Sequence, residues 1–190
     1  MSDRKRLGLA LCGSYCTYEK LFAAAEALRH DYELIPIMSD TAAETDTRFG
    51  TAADITDRIV HITGRGIIHT TEKAEPLGPK VKLDLLIIAP CTGNTIANLA
   101  HGITDTAVTM AAKAHSRQDR PILIALATND AMSANLENIG RMMQKKSVYF
   151  VPMRQDDPVK KPHSLVADFA RIEECADAAL EGKQVYPVFE

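Results

Sequence analysis

The stretch Leu85–Met110, LLIIAPCTGNTIANLAHGITDTAVTM, decides the fold of this chain. It opens with an apolar run typical of a buried strand, breaks at Pro90 into small polar residues, and continues as a predicted helix behind Asn94. Open α/β sheets build phosphate and nucleotide sites from such a unit, because N–H groups at the helix start point into the crevice at the strand's carboxyl end. An ordinary βα loop explains the spacing equally well.

Length and composition limit the class of protein. The 190 residues suffice for one sizeable core, so we predict a single domain over residues 1–190. The net charge of −3 gives no reason to expect nucleic acid or a membrane surface as partner, and no apolar run approaches the ~20 residues that span a bilayer. The four cysteines show neither a CxxC pair nor metal-ligand spacing, which predicts reduced thiols, no metal site and a cytoplasmic location.

Strand-like and helix-like segments alternate along the chain without any hairpin signal. Apolar runs predict strands at Leu7–Cys12, Glu33–Met38, Leu83–Ala89, Pro121–Ala127 and Ser147–Val151. Amphipathic patterns predict helices near 17–29, 51–60, behind Asn94, and near 106–114, 133–145 and 164–180. This alternation predicts an α/β fold, a Rossmann-like open parallel sheet with helices on both faces.

Polar residues collect in the loops that follow four of the predicted strands. Carboxyl ends of parallel strands meet at one edge of a sheet, where ligands of such folds bind. The four loops are Gly13-Ser14, Ser39-Asp40-Thr41, Cys91-Thr92-Gly93-Asn94-Thr95 and Thr128-Asn129-Asp130. Hydroxyl and amide groups with few carboxylates suit an anionic cofactor better than a metal ion. Ser39, Thr41 and Asn94 could equally cap helices, so capping and ligand contact both remain open.

The residues of these loops resemble motifs of the flavoprotein family that includes flavin-containing cysteine decarboxylases and flavin prenyltransferases. The family's GxTGS loop is represented by Leu11–Ser14, with Cys in place of Thr, and its PASANT motif by Pro90–Thr95. Gly102 and Asp105 match a downstream Gly and Asp, whereas only Asn and Met of the PxMNxxM motif are present, at 129 and 132. Further strings narrow the resemblance to one subgroup: TRFG at 47–50, KAEPLGPK at 73–80, TDTAVTMAAKA at 104–114 and QDDPVKKP at 155–162.

The resemblance implies a homo-oligomeric flavoprotein fold with bound FMN. For the subgroup it further implies an oxidoreductase that oxidises a dihydropyridine dicarboxylate, or its hydroxylated precursor, in the sporulating mother cell. That subgroup works together with a separate partner protein, the A component of the same enzyme. Because the first loop has one glycine rather than a GxGxxG fingerprint, NAD(P) is expected to bind the partner. A flavin-dependent decarboxylase and a non-catalytic scaffold for the A component remain as alternatives.

Candidate site residues follow from the loops and the resemblance together. The cofactor set is Gly13, Ser14, Ser39, Thr41, Phe49, Pro90, Thr92, Asn94, Thr95, Asp105 and Asn129. Phe49 would provide an apolar surface against the isoalloxazine ring, or it could be only a core residue. Cations for the substrate carboxylates are Arg48, Arg154 and Lys160.

The catalytic residues are left unknown by the sequence. The candidates are Asn94, Cys91 and His69. No motif selects His69 over His61 or His101, and no base is evident beside Cys91, for which packing as a small hydrophobic residue is the alternative.

Overall fold

A mixed seven-stranded sheet organises the computed structural model, which describes residues 4–190. Its strands are β1 (Arg6–Leu11), β2 (Glu33–Met38), β3 (Leu85–Cys91), β4 (Ile122–Thr128), β5 (Val148–Phe150), β6 (Met153–Arg154) and β7 (Leu165–Ala167). The first five lie parallel in the order β2-β1-β3-β4-β5. The α/β fold class is confirmed. Residues 1–3 of the predicted domain lie outside the described residues.

Helices cover both faces of this sheet. They are α1 (Tyr18–Leu28), α2 (Asp40–Glu44), α3 (Ala52–Thr63), α4 (Thr71–Ala74), α5 (Gly93–His101), α6 (Ala107–Ser116), α7 (Leu136–Met143) and α8 (Ile172–Leu180). One apolar cluster joins α1, α3 and α8 to one face, and a second joins α4 to α7 to the other. Among residues 4–190, no helix combines the length and apolar character needed to cross a membrane.

The central strands are buried on both faces, as the continuous apolar runs predict. Leu9 and Ile87 belong to the first cluster, whereas their chain neighbours Ala10 and Ile88 belong to the second. Burial on both faces favours this composition in a parallel sheet.

The strand β3 extends further than predicted. It continues through Pro90 to Cys91, so the predicted break at Pro90 is wrong. Because proline has no N–H to donate, the ladder cannot continue regularly there, and the pairing with β4 shifts register between Ile88 and Cys91. The strand therefore carries Cys91 to the edge of the sheet.

The segment 153–171 departs most from expectation. In place of a helix from Ser164, it forms β6 and β7, followed by a 3-10 turn at Phe169–Arg171. Strand β7 runs antiparallel to both β4 and β6, so the prediction of a wholly parallel sheet without a hairpin is wrong at this edge. Leu165 and Ala167 are buried and Val166 is partly exposed, which is the alternation of a strand.

Residues near the carboxyl terminus cover the outer edges of β5 and β6. The Gln184 side chain accepts a hydrogen bond from the Phe150 N–H at 2.8 Å and donates to the Phe150 carbonyl at 2.7 Å. The Met153 N–H donates to the Val188 carbonyl at 2.8 Å. These bonds occupy edge groups that could otherwise pair with another chain.

Candidate functional site

The strand order reverses direction between β1 and β3. From β1 the chain moves outward to β2 and then returns to the other side of β1 with β3. At such a point the loops after the two strands diverge and leave a crevice at the carboxyl edge of the sheet. Here those loops are Gly13-Ser14 and Thr92-Gly93, and we refer to this place as the switch-point crevice.

Helix α5 begins beside this crevice with Thr92 as its N-cap. Thr92 Oγ1 accepts a hydrogen bond from the Thr95 N–H at 3.2 Å and lies 2.9 Å from Thr95 Oγ1. The prediction that the helix starts behind a capping Asn94 is therefore wrong, because Asn94 lies exposed inside the first turn. Its side chain is thus available to a ligand, and the N–H groups of Gly93 and Asn94 have no acceptor within the helix.

Gly93 is packed against a polar network that the sequence did not reveal. A Cβ at this position would lie 2.6 Å from Asn135 Nδ2 and 2.7 Å from both Asp130 Oδ1 and Thr128 Oγ1. The Thr128 hydroxyl donates to Asp130 at 2.6 Å, and Asn135 Nδ2 donates to the same carboxylate at 2.9 Å. The network therefore supports the start of α5, and its sequence signals were the polar strings TGNT at 92–95 and TND at 128–130.

The loops after β1 and β2 contact each other directly. A Cβ on Gly13 would lie 3.1 Å from Thr41 Cγ2, and the Tyr15 hydroxyl donates to the Thr41 carbonyl at 2.8 Å. Ser39 Oγ accepts from the Ala42 N–H at 3.3 Å, which confirms capping of α2 by Ser39. Ser39 is buried in this role, whereas Thr41 is exposed. Tyr15 is a contact that sequence reasoning missed.

Two buried cysteines lie beneath the crevice. Cys12 packs beside Thr95, and burial raises the pKa of its thiol to about 11. Burial also raises the pKa of Cys91 well above its usual range, and Cys12 adds to the effect. Both thiols are therefore neutral near pH 7. They pack in the apolar cluster that joins α4 to α7 to the sheet, as the packing alternative for Cys91 predicts.

The structure separates the three histidines that the sequence left equivalent. His61 borders a cleft beside the amino end of β2, and His101 lies at the end of α5. His69 follows Ile68, which pairs with Ile37 near the carboxyl end of β2. Within the described chain, His69 Nδ1 is buried and has no hydrogen-bond partner. Of the three, His69 lies at the edge that carries the switch-point crevice.

Arg48 and Phe49 form an exposed pair between α2 and α3. The Arg48 guanidinium carbon lies 4.8 Å from the centroid of the Phe49 ring, in cation–π contact. Phe49 is 48% exposed, so the alternative that it is a core residue is wrong. An exposed aromatic ring with a stacked cation can contact a flat, anionic ligand.

Four of the predicted site residues take no part in the contacts described above. Asp105 accepts a hydrogen bond from Asn98 at 3.0 Å, and Asn129 is exposed just after β4. Arg154 lines a separate cleft of about 600 Å³ against α1, which no predicted cofactor residue borders. Lys160 is exposed on the loop 155–164. No group of three His, Cys, Asp or Glu side chains placed to hold a metal occurs within residues 4–190.

Comparison with known proteins identifies similar chains. The flavoprotein family profile matches residues 1–179. The chain is 43% identical to the B subunit of dipicolinate synthase from Bacillus subtilis over 185 residues, which are 97% of this chain and 92% of that protein. The crystal structure of the corresponding dipicolinate synthase protein from Bacillus halodurans superposes with a TM-score of 0.89 and 41% identity, covering 98% of this chain and 96% of that one. The FMN-dependent cysteine decarboxylase SpaF shares the fold, with a TM-score of 0.69, 21% identity and coverage of 94% and 97%.

Proposed function

The chain belongs to the flavoprotein family, and we propose that it binds FMN in the switch-point crevice. The observation that carries this proposal is the start of α5, where Thr92 performs the capping and leaves Asn94 exposed. Such a helix start favours an anion or a polar ring edge through its N–H groups. The FMN dependence of the similarly folded SpaF supports the choice of flavin.

The neighbouring loops supply groups that fit the parts of FMN. Ser14 and Thr41 offer hydroxyls for the phosphate, while Ser39 acts mainly by holding the turn that presents Thr41. Gly13 lets the loop after β1 lie close to the loop after β2, because a side chain at this position would meet Thr41. The exposed ring of Phe49 provides an apolar surface for the isoalloxazine.

We further propose that the chain is an oxidoreductase subunit of a dipicolinate synthase. With its partner, the A component, it converts dihydrodipicolinate or its hydroxylated precursor to dipicolinate. The similarity to the B subunit of dipicolinate synthase over 97% of the chain supports this substrate and partner. NAD(P) binds to the A component, and the protein works as a homo-oligomer in the mother-cell cytoplasm during sporulation.

The residues around the crevice have distinct roles in this reaction. Bound FMN supplies a hydride acceptor, and aromatisation of the ring favours the oxidation. Arg48 pairs with a substrate carboxylate through its exposed guanidinium. His69 is the residue that transfers a proton, because it lies at the sheet edge that carries the crevice.

The visible spectrum of the purified chain tests the flavin proposal. We expect absorbance bands of bound flavin, or their appearance with quenching of flavin fluorescence when FMN is added. An Asn94→Ala variant should bind FMN at least about tenfold more weakly, since hydrogen bonds at the crevice are lost. Gln144→Ala, which changes an exposed amide at the end of α7, is the matched control. A protein that stays colourless and leaves FMN fluorescence unchanged would refute flavin binding and favour the scaffold alternative.

Activity assays separate the oxidation from decarboxylation. Dihydrodipicolinate should be converted to dipicolinate when this chain and the A component are mixed, and His69→Gln should lower kcat more than it raises KM. Release of CO₂ from a cysteine-containing substrate that carries a free carboxylate, without dipicolinate formation, would contradict the oxidoreductase proposal and favour the decarboxylase alternative.

A further inference from the structure

A cleft of about 350 Å³ lies at the far end of α5, between that helix, α6, α7 and the starts of β4 and β5. Its volume falls in the range of small-molecule sites. Apolar side chains from five different elements or loops line it: Leu99, Ile103, Ala112, Met142 and Val148. Ile103 is 48% exposed, so part of this apolar lining faces solvent. We refer to this place as the α5–α7 cleft.

Cations surround the α5–α7 cleft. Lys113, Arg120, Lys145 and Lys146 line it, against the single carboxylate of Asp119. The chain as a whole has 22 Lys and Arg against 25 Asp and Glu, so this cleft reverses the overall sign of charge. Within residues 4–190, the three lysines form no ion pair with a carboxylate. Their ammonium groups therefore remain available to an anion.

The turn that carries Arg120 is anchored on both sides. Arg120 Nη1 donates to the Leu83 carbonyl at 2.8 Å, which leaves further guanidinium N–H groups for a ligand. Asp119 has a φ of 52°, in the left-handed region, and its carbonyl accepts from Ser147 Oγ at 3.3 Å. Asp tolerates this conformation better than most residues, and such backbone strain concentrates at functional sites. The cationic rim is thus partly preorganised.

We propose that the α5–α7 cleft is a second binding site of this protein and takes a small aromatic dicarboxylate. The ring lies on the apolar lining, and the two carboxylates meet the ammonium and guanidinium groups of the rim. A single carboxylate leaves most of these cations unmatched, whereas a neutral ring gains nothing from them. The proposal does not depend on FMN in the switch-point crevice, which lies at the opposite end of α5.

Binding to the full chain tests this site without an activity assay. Isophthalate is a suitable probe, because it carries two carboxylates on a flat ring and does not chelate metals as pyridine-2,6-dicarboxylate does. Calorimetric titration should show binding that weakens with added salt, and methyl NMR should place the shifts at Ile103 and Val148. The double variant Lys145→Gln, Lys146→Gln should bind at least about tenfold more weakly, through loss of charge-assisted hydrogen bonds.

Controls decide between the cleft and general anion attraction. Lys5→Gln, which removes an exposed charge elsewhere, should bind isophthalate as the unmodified protein does. The neutral analogue isophthalamide should not bind measurably. Equal affinity for isophthalamide, full affinity in the double variant, or shifts centred on Thr92 rather than on Ile103 would each overturn the proposal. The last outcome would assign the ligand to the switch-point crevice, whereas loss of FMN binding alone would leave the α5–α7 cleft intact.

Discussion

The substitution Gly93→Ala tests whether the polar network behind α5 holds the site. The new methyl group would lie 2.6–2.7 Å from polar atoms of Asn135, Asp130 and Thr128, where ordinary contacts begin near 3.4 Å. Either the network must open or the start of α5 must move. Both outcomes disturb the helix start that we assign to FMN.

The expected magnitude follows from opposing effects. Overpacking a tight site costs about 1–3 kcal/mol, and each hydrogen bond that the network loses costs about 1 kcal/mol more. Alanine in place of glycine within a helix stabilises by about 1 kcal/mol. We therefore expect a net loss of about 2 kcal/mol, which for a chain of this size lowers Tm by about 4–8 °C. FMN affinity should fall as well.

Gly140→Ala is the matched control for this experiment. Gly140 lies within α7, and a Cβ there meets no atom within 4 Å. The same chemical change should therefore stabilise the protein by about 0.5–1 kcal/mol and leave FMN affinity unchanged. Thermal unfolding and FMN titration of all three proteins at one concentration provide the comparison. A Gly93→Ala protein that unfolds at or above the temperature of the unmodified protein would refute the packing argument.

Three further predictions address other parts of the molecule. Gln184→Ala removes both hydrogen bonds between the side chain and Phe150 and should lower the free energy of unfolding by about 1–2 kcal/mol. Hydrogen exchange at the Phe150 amide should become faster, and unchanged exchange would contradict the edge-covering role. Burial lowers the pKa of His115 in the folded protein. As the pH drops below about 6.5, the unfolded chain therefore binds a proton at this histidine more readily than the folded chain does, and the free energy of unfolding should fall. Urea titrations at pH 7.5 and 5.5 should show a smaller decline in His115→Gln, and an equal decline would exclude this histidine as the cause. Iodoacetamide should rapidly modify one thiol per folded chain, that of the exposed Cys16, and mass spectrometry showing several rapid adducts would contradict the burial of the other three.

The regular architecture was accessible from the sequence, because its signals are local. Apolar runs such as 33–38 record burial on both faces of a parallel strand, and helical spacing records one buried face. The capping of α2 by Ser39 also depends on residues only three positions apart. The carboxyl-edge position of the polar loops follows from alternation of strands and helices alone. For the hairpin at 153–167 the local pattern was misleading, since the pairing of β7 with β4 overrides helical spacing.

The sequence by itself thus determined the fold class and the position of the polar loops at the carboxyl edge of the sheet. It also identified the stretch around Thr92 as a candidate site. The tertiary structure alone decided that Thr92 rather than Asn94 caps α5, and that Gly93 rests on a network from residues 128–135. It also decided that His69, rather than His61, lies at the switch-point edge, and that four cations converge on the α5–α7 cleft. Apart from the Thr92 cap, which spans only three residues, these features join positions far apart in the chain, and periodicity and spacing report only on neighbours. Long-range packing therefore supplies the site geometry that local patterns cannot encode.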